Sequence, residues 1–220
     1  MKSGVLLVRC ALVAGVLLAC SVSAHASVIF YTTQGTFNAA VTSPTLVEDF
    51  ESIATKDVPL ASLTHNGITY TPLGGTTNVF VSSPGYTNYG AGVTQPTTTS
   101  ILTASGNEDF SAAFTSSTFA VGFDVYLNGL GAATVNVFNG ATLLDTFTFA
   151  SGNDKRYLGI VSTVAITSFR WTATLGGELN TGIDNISTAT VSSVPEPSAM
   201  LLLGSGLIAL IARRKLNRAS

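Results

Sequence analysis

Phe119-Ala120-Val121-Gly122-Phe123-Asp124-Val125-Tyr126-Leu127 is the stretch that decides the fold class. Phe119, Val121, Phe123, Val125 and Leu127 alternate with Ala120, Gly122, Asp124 and Tyr126. A period of two puts one set on each face of an extended chain, so the stretch predicts a half-buried β-strand. Residues 166–173 alternate in the same way, with Phe169 and Trp171 inward and Arg170 outward. Residues 133–138 and 142–149 flank Asn139-Gly140. That dipeptide predicts a hairpin closed by a type I′ turn, because both residues tolerate positive φ. Further strands are expected at residues 28–31, 46–51, 68–71, 79–82, 100–103, 110–114, 157–161 and 183–187, and a short helix at 35–41 with Phe37 and Val41 on one side. No stretch holds a 3.6-residue period beyond a turn or two, and there is no internal repeat or heptad pattern. About ten short strands separated by turn signals imply an all-β chain folded as a β-sandwich, not a βαβ fold.

The two chain ends are built differently. Lys2 and Arg9 precede an apolar run from Cys10 to Cys20, and Ala24-His25-Ala26 offers a small-x-small cleavage site. This predicts a signal peptide over residues 1–26, cut after Ala26. Leu17-Leu18-Ala19-Cys20 is the competing lipoprotein-box reading. At the other end Val194-Pro195-Glu196-Pro197 is followed by an apolar run over residues 199–212, then Arg213, Arg214, Lys215 and Arg218. As a helix those 14 apolar residues span roughly 21 Å. The run falls short of the ~20 residues that cross a bilayer comfortably. A short transmembrane helix of this kind relies on local thinning and on snorkelling of its basic flank. The basic cluster remains cytoplasmic, so the residues before Val194 face the periplasm.

Charge narrows the function classes. Between the two targeting segments, residues 27–193 carry Lys56, Lys155, Arg156 and Arg170 against eleven acids, a net charge of −7. That excludes the basic footprint of a nucleic-acid binder and suits cation capture or plain solubility. Both cysteines lie in the signal segment, so thiol catalysis and cysteine metal sites are excluded for the matured chain.

The C-terminal order of proline-flanked motif, short apolar span and basic stop resembles the PEP-CTERM sorting signal of Gram-negative, polysaccharide-producing bacteria. The resemblance implies export, transient anchoring in the inner membrane, and processing by a membrane protease called an exosortase at or beside Val194–Pro197. It covers about a tenth of the chain. Thr36-Phe37-Asn38-Ala39-Ala40, Glu48-Asp49-Phe50-Glu51, Gly122-Phe123-Asp124-Val125, Leu158-Gly159-Ile160 and Gly182-Ile183-Asp184-Asn185-Ile186 also resemble a jelly-roll domain found ahead of such signals. Similar jelly rolls include carbohydrate-binding modules. The implied organisation is a signal peptide at 1–26, a jelly-roll-like sandwich at 27–187, a linker at 188–193 and the sorting signal at 194–220.

Three groups of residues could carry function. Asp49 and Glu51 share a face if residues 46–51 are a strand, and Asp184 sits near the far end of the domain. A jelly roll commonly sets its first and last strands side by side, which would gather hard oxygens suited to a structural calcium (Ca2+). The alternative is that they are solvated edge charges that discourage sheet aggregation. Tyr86 and Tyr89 lie on a Gly/Pro-rich loop, where ring faces and nearby amides suit sugar contact. The alternative there is a tyrosine folded back over the end of the sandwich. His65, beside Asn66-Gly67, reads as a loop residue; it is the only histidine after the signal, and no Gly-x-Ser-x-Gly elbow accompanies it. No catalytic residues are assigned. The expectation is a non-enzymatic, exported protein at the cell surface or in the extracellular matrix, interacting with exopolysaccharide. A structural coat or adhesion protein without a small ligand is the alternative, and a glycan-active enzyme is a more distant one.

Overall fold

The computed structural model describes residues 26–86, 97–106, 108–127, 132–152, 154–173, 181–191 and 206. Residues 1–25 of the signal segment, with Ala24, the loop tyrosine Tyr89, Val194–Pro197, the apolar run 199–212 apart from Gly206, and the basic cluster from Arg213 to Arg218 lie outside the described residues. Among the described residues, no helix is long and apolar enough to cross a membrane.

Eleven strands and a seven-residue helix make up the domain: β1 (Val28–Tyr31), α1 (Gln34–Ala40), β2 (Thr42–Glu48), β3 (Leu63–His65), β4 (Ile68–Pro72), β5 (Val79–Ser82), β6 (Ile101–Ala104), β7 (Phe110–Tyr126), β8 (Ala133–Asn139), β9 (Thr142–Phe149), β10 (Lys155–Ala173) and β11 (Gly182–Thr190). Every pairing between them is antiparallel.

β7 and β10 make this a sandwich. Phe169 pairs in register with Ala112 at the start of β7, yet its ring stacks on Phe123, eleven residues further along β7, with centroids 4.8 Å apart. A straight strand would separate Ala112 and Phe123 by roughly 36 Å. β7 therefore turns a corner around residues 115–117, and β10 turns beside it, where its register shifts between Val161 and Ser168. One layer runs β3–β4–β7 (residues 110–114)–β10 (166–173)–β8–β9. The other holds β7 (118–126) between β11 and β10 (155–161), with β1 beyond β10 and with β2 and β6–β5 on the far side of β11. The core between them contains Phe50, Tyr70, Phe110, Phe123, Leu158, Phe169, Trp171 and Ile183. The inward parity read for Phe169 and Trp171 is the one observed.

The outer face of the second layer carries α1. Gly122 and Gly159 face each other across β7 and β10, and Phe37 of α1 seats over them. A Cβ on Gly159 would stand 2.5 Å from Phe37 Cδ2. Thr33 caps the helix, its Oγ1 accepting from Thr36 N at 3.3 Å. Three of the sequence pieces quoted above thus form one packed unit.

Several local expectations need correction. The run 46–51 is not one strand: β2 ends at Glu48, and Phe50 adopts a left-handed φ of 57°. The Asn139-Gly140 hairpin pairs Asn139 with Thr142, so its central residues are Gly140 and Ala141. Only Gly140 has positive φ, which fits type II′ and not type I′. The double positive φ occurs instead at Asn66 (45°) and Gly67 (77°), which close the β3–β4 hairpin. β11 continues to Thr190, so the expected linker at 188–193 begins with strand.

Candidate functional site

The two ends of the sandwich differ. The corner end holds the bends of β7 and β10. The opposite, open end gathers Asp124, Tyr126, Lys155 and Asp184, because Tyr126 pairs with both Lys155 and Gly182 in register. Asp184 is fully buried. Its Oδ2 accepts from Thr99 Oγ1 at 2.8 Å and its Oδ1 from the Asn185 N–H at 2.7 Å. Asn185 Nδ2 in turn donates to Asp124 Oδ2 at 2.8 Å, and Lys155 Nζ lies 2.7 Å from the same oxygen. Asn185 can do this because its own φ is 52°. That left-handed residue suits Asn, and it coincides with a bulge in the β11–β7 ladder between Asp184 and Ser187.

Glu51 reaches the same strap of chain from the other side. Its Oε1 accepts from Ser100 N at 2.7 Å, its Oε2 from Ser100 Oγ at 3.0 Å, and Lys56 Nζ stands 3.2 Å from Oε2. Thr99 and Ser100 are adjacent, so one dipeptide ties Asp184 on β11 to Glu51 after β2. β11 pairs with β2 and not with β1, and Glu51 and Asp184 are linked only through the Thr99–Ser100 dipeptide. Asp49 is used locally: its Oδ1 accepts from the Glu51 N–H at 3.1 Å. Among the described residues no three His, Cys, Asp or Glu side chains are arranged to hold a metal.

Burial pushes the Asp184 carboxyl up to about 7, against the lowering effect of the Thr99 and Asn185 hydrogen bonds; the nearby Asp124 and Glu51 charges push it further up. An unfolded aspartate titrates near ~3.9. Between those two values the native chain holds a proton that the unfolded chain has lost, so stability falls as pH rises through that window. We expect the melting temperature to drop between about pH 4 and pH 7, and Asp184→Asn to flatten that drop. Equal pH dependence in both proteins would show that Asp184 is not the responsible group.

A cavity of about 470 Å3 opens beside this network, lined by Thr97, Thr98, Thr99, Tyr126, Leu127, Asp154, Lys155 and Asn185. Lys155 Nζ sits 5.7 Å from the Tyr126 ring centroid. Tyr86 folds back, its ring 5.9 Å from Phe80 and packed against Ile101 and Tyr126. It is not among the residues that line the cavity.

The sequence reading missed Asp124, Lys155 and the Thr99–Ser100 strap. The available signal was Asp124 itself, a carboxylate inside a strongly alternating strand. Glu48, which the sequence places in the carboxylate run 48–51 without a role of its own, is buried and bridges two groups. Glu48 Oε1 accepts from the Phe50 N–H at 2.7 Å, and Oε2 is 2.6 Å from His65 Nδ1. His65 is thus the last residue of β3 and paired, not a free loop residue.

Comparison with known proteins bears on both parts of the chain. Solved structures similar to the domain include a variant of a family 29 carbohydrate-binding module complexed with mannohexaose, at 18% identity and a TM-score of 0.42, covering 68% of this chain and 93% of that one. Another variant, complexed with cellulohexaose, matches at 17% identity and a TM-score of 0.40 over 68% and 92% of the two chains. The hexasaccharides are ligands of those modules. No curated protein matches the chain. A family model of the PEP-CTERM protein-sorting motif matches residues 193–215. The tail is thus a PEP-CTERM sorting signal, and the chain is an exported protein, anchored transiently in the membrane before an exosortase processes it.

Proposed function

We propose that the exported sandwich is a non-enzymatic module that interacts with exopolysaccharide at the cell surface or in the extracellular matrix. The observation that carries this reading is the open-end cavity, where an aromatic wall at Tyr126 meets hydroxyl, amide, ammonium and carboxylate groups from three separate elements. A sugar ring has an apolar C–H face and a polar rim, and this lining offers both kinds of contact. The partners in this account are the export machinery and the exosortase during maturation, and the polysaccharide afterwards.

Affinity electrophoresis in gels containing exopolysaccharides tests the reading. The wild-type protein is expected to be retarded, and Lys155→Ala to lose most of that retardation. Lys155 is about half exposed but its partner Asp124 is nearly buried, so a melting curve of the variant accompanies the gel; Asn185 Nδ2 remains as a donor to Asp124. A folded wild-type protein that no polysaccharide retards would favour the coat or adhesion alternative. Release of reducing ends from the same polymers would instead mark a glycan-active enzyme.

We also propose a structural calcium in this network, held by Asp184 and Glu51 with Asp49 nearby in sequence. The donors are hard oxygens of the type calcium takes, and Asn185, Thr99 and Asp124 add further oxygens. The carboxylates would have to turn toward one another, since each is engaged separately. A ligand that binds only the native state adds roughly 2.7 kcal/mol at a hundred times Kd. Calcium is expected to raise the melting temperature relative to chelator in the wild type and not in Asp184→Ala. The same shift in both, or none in the wild type, would leave the acids as network and edge charges.

A further inference from the structure

A second cavity, of about 350 Å3, adjoins the first and has no part in the reading above. Lys155 lines both. The strand order explains the adjacency. In register, Gly182 of β11 faces Tyr126 of β7, and Tyr126 faces Lys155 of β10. β1 pairs with β10 on the side away from β7, its Tyr31 opposite Gly159, so Thr32 follows at the far edge. The lining residues Asn185, Tyr126, Lys155 and Thr32 thus come from four successive strand positions, a width of three strand spacings or roughly 14 Å. The end of β9 closes the far side, where Phe147 packs on Phe30 of β1 with 5.2 Å between ring centroids. Phe147, Phe149 and Tyr157 give the second cavity an apolar wall, and the exposed Thr32 and Thr148 give it hydroxyls. It repeats the mixture of ring and hydroxyl lining found in the first cavity.

Both cations between the cavities are neutralised. Lys155 Nζ lies 2.7 Å from Asp124 Oδ2. Arg156, which lines the second cavity, donates from Nε to both oxygens of Asp154, which lines the first, at 2.9 and 3.1 Å. Its Nη1 donates to the Ala150 carbonyl at 2.8 Å, so the guanidinium plane is fixed. A glycan carboxylate would find each cation already engaged by a protein carboxylate, in a domain of net charge −7. Like charges brought together at an interface work against binding. Sugar hydroxyls, which both donate and accept, can share these groups without separating the pairs. We propose that the two cavities are successive subsites of one groove, which takes an internal segment of an uncharged polysaccharide several sugars long. The proposal rests on the sugar-binding reading of the first cavity. That cavity alone would be satisfied by one or two sugars, whereas a groove continuing past Lys155 admits a chain lying along it. Once one part of the chain is held, its neighbour enters the second subsite as an intramolecular event, so affinity grows with chain length.

Neutral and acidic fractions of the host's exopolysaccharide, separated by anion exchange, are the probes, offered to the full chain in detergent. The neutral fraction is expected to bind and the acidic fraction not. Oligosaccharides released from the neutral polymer by partial hydrolysis should gain about tenfold or more in affinity between disaccharide and pentasaccharide, read by titration calorimetry. Thr32→Gln with Ala150→Gln narrows the second cavity from two exposed positions. The double variant should lose that gain and bind the disaccharide as the wild type does, with a melting curve to show that it is folded. The length series on the wild type tests the proposal independently of the variant. Tighter binding of the acidic fraction, equal affinity at every length, or a gain that survives in the folded variant overturns the proposal and leaves the first cavity as a sugar site. Binding of neither fraction overturns the proposal and the sugar-binding reading together.

Discussion

Trp171→Ala should cost about 3–5 kcal/mol of stability, the usual range for truncating a fully buried aromatic. Trp171 is fully buried. Its ring stacks on Phe110 at 6.4 Å and tilts against Phe149 at 6.1 Å. Its Nε1–H donates to Thr181 Oγ1 at 3.1 Å, and Thr181 donates from both N and Oγ1 to the buried Glu108 at 2.6 Å. The substitution therefore empties a core volume and removes one member of a buried polar chain. Typical domains are stable by only ~5–15 kcal/mol, so much of the population should unfold at moderate denaturant. Chemical denaturation reads this directly. A loss below about 1 kcal/mol would mean that the inward parity of β10 is wrong.

Gly159→Val should be nearly as damaging, for the opposite reason. The new Cβ would sit 2.5 Å from Phe37 Cδ2 and 2.7 Å from Phe37 Cβ and Cγ. Phe37 cannot retreat cheaply, since it anchors α1 against Tyr31 and Tyr157 at 6.4 and 5.9 Å. Overpacking of this kind typically costs 1–3 kcal/mol, and here it should displace the helix. Pairing Gly159→Val with Phe37→Ala should recover part of the loss, because the second change removes the clashing ring. No recovery in the double variant would show that the glycine serves some purpose other than admitting Phe37.

The sandwich was legible because β-strand alternation is a local property. Phe123, Phe169 and Trp171 each announced their facing from their immediate neighbours. The corner was not legible. Residues 115–117 and 162–165 are mostly Ser and Thr, which read as breaks between strands. In the structure β7 and β10 pass through these stretches and change layer. The β3 strand has three residues, too few for a period to register. The site was half legible. Glu51 and Asp184 were named from carboxylate density and an expected strand neighbourhood, and both reach the Thr99–Ser100 strap. Asp124 and Lys155 depend on which residues a β7–β10 register sets opposite each other, and Glu48 with His65 on a contact 17 positions apart in sequence. Such pairings arise from tertiary packing and leave no periodic trace. The tail was legible as a linear order of motif, span and basic stop, since its recognition needs no folded partner.

The most direct test of the account is the intact mass of the protein recovered from its exosortase-bearing host. The predicted species begins at Ser27 and has lost the apolar run and basic cluster, ending at or beside Val194–Pro197. Pro195→Ala with Pro197→Ala should instead leave the chain full length at its C-terminus and in the inner membrane. A wild-type mass that still includes Ser220, or unchanged processing in the double variant, would contradict an exosortase-processed sorting signal and reduce the tail to a plain anchor.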